Sequence, residues 1–178
     1  MYYETNCKTC PKKVNCCING FAFLTPNDAK NIKERIKKDF DYFLDYSQLP
    51  KQIVANLKDE DPSLEGSLRY SQLDKYKVLR LKKKDGKCIF LDDAKKCKIY
   101  DIRPNICRIY PFWAMRLLNG KIKVIEHDID MECSVVKGKS VDDVLDAKGK
   151  EEIKKVFEDI EKENETYEKS VRRFVEEL

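Results

Sequence analysis

Cys97-Lys98-Ile99-Tyr100-Asp101-Ile102-Arg103-Pro104-Asn105-Ile106-Cys107-Arg108-Ile109-Tyr110-Pro111-Phe112 is the stretch on which the reading of this chain turns. Pro104 has a φ that suits the first turn of a helix, where its missing N–H costs nothing. A short helix is therefore expected there, with Cys107 near its start. The unpaired amides of a helix N-terminus favour thiolate over thiol, and Arg103 or Arg108 would offset the negative charge of a thiolate-ligated site. Ordinary surface salt bridging is the plainer role for those arginines.

Outward from this stretch, cysteines recur as Cys88-x8-Cys97-x9-Cys107, followed by Cys133. An earlier block reads Cys7-x2-Cys10-x5-Cys16-Cys17. A Cys-x2-Cys turn lets two thiolates converge on one metal. Adjacent Cys16 and Cys17 point apart on an extended chain, so one would serve a first site while the other reaches a second or simply packs. Residues 7–20 lack helical or strand periodicity and read as a loop wrapped around something. Eight thiols divide into two four-coordinate sites, or into one four-cysteine site with further buried, outer or redox-active thiols. Neither a zinc ribbon or finger nor a bacterial ferredoxin fits: there is no second knuckle, no histidine pair and no Cys-x2-Cys-x2-Cys run. His127, the single histidine, could be a ligand or proton carrier, but a lone histidine at a strand end is more often exposed.

With 178 residues, 42% hydrophobic and 38% charged, the chain is long enough for one domain with a real core. The balance of 36 basic and 32 acidic residues, net +4, is too even for a dedicated nucleic-acid binder. The lysine and glutamate bias resembles that of hyperthermophile proteins. No stretch is apolar enough to span a membrane, and the start lacks the features of a secretory signal, so a cytoplasmic location is expected. In that compartment eight cysteines are read as ligands rather than disulfides, although intracellular disulfides of hot-living organisms are a competing reading. Six glycines leave little for a nucleotide cradle, and no Ser-His-Asp arrangement or methyl-donor signature is found. Asp92, Asp93, Asp128 and Asp130 are more simply turn residues than an acid–base pair.

The flanking elements give an α+β fold. Thr25 as N-cap, Pro26 at N1 and Asp28 at N3 open an amphipathic helix with Ile32, Ile36, Phe40 and Phe43 on its apolar face. Residues 46–68 read as an irregular connection. Tyr76–Leu81 and Lys87–Leu91 are expected to pair as a hairpin across Asp85-Gly86, and Trp113–Leu118 with Lys121–Ile125 across Asn119-Gly120. Tyr110, Phe112 and Trp113 are read as core. Ser140 caps a short helix, and residues 149–178 carry apolar positions at near-heptad spacing, a long C-terminal helix whose charged face is solvated.

The two cysteine blocks, and above all Cys-x-Ile-Tyr-x-x-Arg-Pro-x-x-Cys-Arg at Cys97–Arg108, resemble the YkgJ-like cysteine-cluster family, with its CxxCxxCC-type domain expected to chelate zinc or iron. The resemblance spans residues 7–138. It implies that Cys7, Cys10, Cys16, Cys17, Cys88, Cys97, Cys107 and Cys133 are metal or cofactor ligands, with Tyr100, Arg103, Pro104 and Arg108 as fixed neighbours. The spacer of five before Cys16-Cys17, where the family usually has two, departs from the pattern. Flagellin lysine methylases carry the cluster within an enzyme, but the resemblance implies a cofactor rather than a reaction.

The expectation is a metal-binding domain at 1–138 with a C-terminal helical extension, 139–178, packed on it. The small hairpins would pack with an N-terminal amphipathic helix and the long C-terminal one, and the cysteine-rich loop would wrap around the metal site. The cofactor is expected to be an iron–sulfur cluster of [4Fe-4S] type, with a redox, sensing or modification-related role. The alternative is structural zinc in a protein that binds protein or RNA. A protein partner is conceivable, nucleic acid is unsupported, and the sequence names no reaction.

Overall fold

The computed structural model describes residues 17, 18, 20, 22–48, 77–126 and 138–176. Helix α1 (Pro26–Ile36) opens as its sequence demands: the Thr25 hydroxyl accepts the Asp28 N–H and the Asp28 carboxylate accepts the Thr25 N–H, each at 3.1 Å. It buries Pro26, Ala29 and Ile32. The expected continuation through Phe40 and Phe43 does not occur. Lys37 takes the left-handed conformation (φ 54°), its N–H bonding back to Lys33, and ends the helix. A new turn, α2 (Phe40–Phe43), follows, and Phe40 meets Phe174 edge-on at 4.9 Å while Phe43 lies 5.9 Å from Phe90. Helical spacing is kept, but it serves packing across a break.

Strand β1 (Leu44–Gln48) pairs antiparallel with β2 (Lys77–Leu81). This corrects two expectations: residues 46–48 are strand rather than connection, and β2 does not pair with the Lys87–Leu91 run. The register explains the choice. Leu44 and Tyr46 stand opposite Leu81 and Leu79 on the face turned to the core, while Asp45 stands opposite Arg80 with a 2.6 Å ion pair and also accepts the Ser47 hydroxyl. On the other edge of β2, Leu24 donates to Leu79 and Ala22 accepts from Leu81. The remainder of 49–76 lies outside the described residues.

The Asp85-Gly86 turn forms with both residues at positive φ, 51° and 75°, as a primed two-residue turn requires. It joins only β3 (Lys83–Lys84) to β4 (Lys87–Cys88). A single turn of 3-10 helix (Tyr100–Ile102) leads to α3 (Asn105–Ile109), capped by Pro104. Strands β5 (Phe112–Arg116) and β6 (Ile122–Glu126) form the expected second hairpin, with Gly120 (φ 78°) closing the turn onto Leu117. Helix α4 (Val141–Val144) carries the Ser140–Asp143 capping box, and α5 (Ala147–Glu176) starts on the Asp146 carboxylate, which accepts the Gly149 N–H at 2.7 Å.

Among the described residues, two buried clusters result. The first gathers Leu24, Ala29, Ile32, Phe43, Leu44, Leu79, Leu81, Phe90, Ile99 and Phe174. The second gathers Ile109, Phe112, Ala114, Val124, Leu145, Ile153, Val156, Phe157 and Ile160. Phe112 and Trp113 are core as expected, Trp113 meeting Phe157 edge-on at 5.8 Å. Helix α5 contributes to both clusters, and the Cys97–Phe112 stretch runs from one to the other. Among the described residues no helix is long and apolar enough to cross a membrane.

Candidate metal centre

Cys107 is the third residue of α3, as the position of Pro104 requires. The turn before it is tightly held. Arg103, only 8% exposed, donates from Nε to the Tyr100 carbonyl at 2.8 Å and lays its guanidinium 3.8 Å from the Tyr100 ring centroid, a cation–π stack. Arg103 is therefore not the exposed salt-bridging residue of the plainer reading. Arg108 stays at the surface and reaches the Asn105 side chain at 3.4 Å.

The start of α3 is fastened from an unexpected quarter. Asp28 accepts the Asn105 N–H on Oδ1 at 3.1 Å while its Oδ2 closes the α1 capping box. Burial raises its pKa to about 6, with the charge of Glu163 adding to the effect and the Thr25 and Asn105 hydrogen bonds opposing it. A carboxyl that binds its proton more tightly folded than unfolded makes the fold more stable as pH falls from about 6 towards 4, by up to about 3 kcal/mol. Urea unfolding of wild type and Asp28→Asn across this range should show the difference between them changing in the wild type's favour on acidification. A pH-independent difference would rule the account out.

Cys88 and Cys97 occupy one small unit at the margin of the first core. Cys88 stands opposite Lys83 in the β3–β4 pair, and its carbonyl accepts the Leu91 N–H at 2.9 Å. Leu91 in turn bridges to Cys97 around a turn in which Asp92 accepts the Lys95 and Lys96 amides. Asp92 is thus a turn-former, as read from the sequence.

A cation of this unit reaches the backbone next to Cys17. Lys83 Nζ donates to the carbonyl of Ile18, the next residue after Cys17, at 2.6 Å. Burial lowers the Lys83 pKa, the charge of Arg80 adds, and Cys88 acts the other way. Lys83 therefore links the β3–β4 pair to the backbone next to Cys17. Cys7, Cys10, Cys16, Cys133 and His127 lie outside the described residues, as do Asp128 and Asp130. Among the described residues, no three His, Cys, Asp or Glu side chains group as a metal site.

A family model for CxxCxxCC, "Putative zinc- or iron-chelating domain", matches residues 6–134. The chain belongs to the CxxCxxCC family. One relative of this CxxCxxCC chain is the uncharacterized protein MJ0661 of Methanocaldococcus jannaschii, 45% identical over 62 residues, which are 34% of this chain and 33% of the relative. The match spans about a third of that curated relative's length. No solved structure matches.

The donor chemistry fits the family's metals. Cys17, Cys88, Cys97 and Cys107 are half-buried thiols, soft donors of the kind that take zinc or iron, with cationic Lys83, Arg103 and Arg108 on the same segments. Two members of this arrangement, Asp28 and Lys83, were not singled out as site residues in the sequence. Asp28 was legible as a cap, but nothing local pointed to Asn105 or to Ile18.

Proposed function

We propose that the chain is a metalloprotein whose cysteines, Cys7, Cys10, Cys16, Cys17, Cys88, Cys97, Cys107 and Cys133, hold an iron–sulfur cluster of [4Fe-4S] type. Tyr100, Arg103 and Arg108 would shape its surroundings. The observation that carries the reading is the Lys83–Ile18 hydrogen bond, by which the residue opposite Cys88 reaches the backbone next to Cys17 although 65 residues separate the bonded pair. In this reading two blocks of soft ligands, far apart in sequence, meet at one site. The described thiols do not group as a site among themselves, and in this reading Cys7, Cys10, Cys16 and Cys133 would supply further ligands.

A bound cluster would supply one-electron chemistry or a sensing function, and the chain's own part is to hold the ligands and balance their charge. Lys83, Arg103 and Arg108 would serve that balance, because each thiolate adds a negative charge that a half-buried setting penalises. In this reading residues 1–138 are the metal-binding domain and 139–178 an extension packed on it.

Structural zinc, from the same soft donor set, is the second reading. Anaerobic purification followed by iron, sulfide and zinc analysis decides between them. Iron and sulfide in matched amounts with visible absorption are expected; a colourless, iron-free protein with stoichiometric zinc would sink the cluster.

A further inference from the structure

Among the described residues, two capping boxes of the same chemistry have different surroundings. At Ser140–Asp143 the box closes on itself at the surface: the Asp143 carboxylate accepts from Ser140 N–H and Oγ, and those bonds lower its pKa. At Thr25–Asp28 the carboxylate is partly buried and its second oxygen accepts an amide 77 residues away, at the first residue of α3. Burying a carboxylate is costly, and a surface cap would have served α1 equally well. What the buried position adds is a bridge.

We infer that Asp28 is the positioning residue of the metal centre: its two carboxylate oxygens clasp the first turns of α1 and α3 and so fix where Cys107 is presented. The inference rests on the proposed role of Cys107 as a ligand. Its geometry is specific. Each oxygen receives one N–H, from Thr25 and from Asn105, both at 3.1 Å. Cys107 is two residues beyond Asn105 in a helix of five residues, too short to hold its own direction, so the anchor at its start sets the thiol's position. On the other side, the Thr25 end is held by the first core, to which Ala29 and Ile32 belong.

The side-chain chemistry makes the clasp testable. Asparagine offers one acceptor and turns an NH2 group towards the second amide, whereas glutamate keeps both acceptors on a longer stem. Removing the buried charge and losing one hydrogen bond act on stability in opposite directions, so Asp28→Asn is expected to fold. The matched control is Asp143→Asn, which removes the self-contained surface cap.

Two measurements are made near neutral pH. In metal-free protein, alkylation of Cys107 by a maleimide is followed peptide by peptide. In metal-loaded protein, release of metal to a chelator is timed. Asp28→Asn should raise both rates about tenfold, the factor for one lost charge-assisted hydrogen bond, Asp28→Glu should restore most of the wild-type behaviour, and Asp143→Asn should change neither. An unfolding curve for each variant separates a loosened Cys107 from a lost fold. If Asp28→Asn fails to fold, Asn105→Pro decides, since it removes the N–H that Asp28 accepts at the first residue of α3 while leaving Asp28 and its α1 cap in place: a clasp predicts the same rise in both rates, and wild-type rates overturn it. Wild-type Cys107 reactivity in Asp28→Asn, or an equal increase in Asp143→Asn, overturns the inference. If wild type binds no metal at all, the proposed function falls, and the alkylation measurement still decides whether Asp28 positions Cys107.

Discussion

Cys107→Ala purifies folded but without metal, retaining less than about a tenth of the wild-type content, and Cys10→Ala does the same. The two substitutions lie in different blocks, and one result is expected because the proposed site draws ligands from both. Cys107 stands on a short helix pinned to α1, the backbone next to Cys17 is linked by Lys83 to the hairpin of Cys88, and the described thiols do not form a site on their own. A site that needs both blocks fails when either loses a ligand, because a thiolate centre with a missing donor is open to water and to competing chelators. His127→Ala leaves the metal in place. Metal analysis with an unfolding curve on each variant makes the check; unchanged content in both cysteine variants would refute the proposed ligand set.

Phe112→Ala loses about 3–5 kcal/mol of stability, a large share of what a domain of this size possesses. Phe112 is fully buried at the start of β5, in the cluster that also holds Ile109 of α3 and Ile153, Val156, Phe157 and Ile160 of α5. Truncation leaves a cavity where α3, β5 and α5 meet, and little can move to fill it, since Trp113 beside it is already engaged edge-on with Phe157. Urea unfolding should show a lower midpoint with an unchanged slope. A loss under about 1 kcal/mol would mean that this cluster is not the tightly packed unit described.

The parts of the fold that the sequence announced are those governed by near neighbours. Thr25–Asp28 and Ser140–Asp143 are capping boxes because three residues separate donor from acceptor, and Asn119-Gly120 turns because glycine takes a positive φ; the short helix after Pro104 forms too, with Pro104 at its N-cap rather than in its first turn. The parts that were misread depend on partners far along the chain. Leu44–Gln48 alternates too weakly to be recognised as a strand until Leu79, Leu81 and Arg80 stand opposite it. The helical spacing of Ile32, Ile36, Phe40 and Phe43 hid the break at Lys37, because periodicity records which face is apolar and not whether the backbone is continuous. At the candidate site the cysteines were legible by type and spacing. The Asp28–Asn105 and Lys83–Ile18 bonds were not, since neither pair shares a motif.

Helix α5 carries a consequence for anyone who trims this protein. Five of the nine buried residues of the second cluster, Leu145, Ile153, Val156, Phe157 and Ile160, come after residue 134, where the family match ends. A fragment cut at that boundary would retain every cysteine yet expose the inner face of the β5–β6 hairpin. It would be expected to collect in inclusion bodies, and its failure to bind metal would say nothing about the ligands. The sequence boundary of the family is not a safe place to cut.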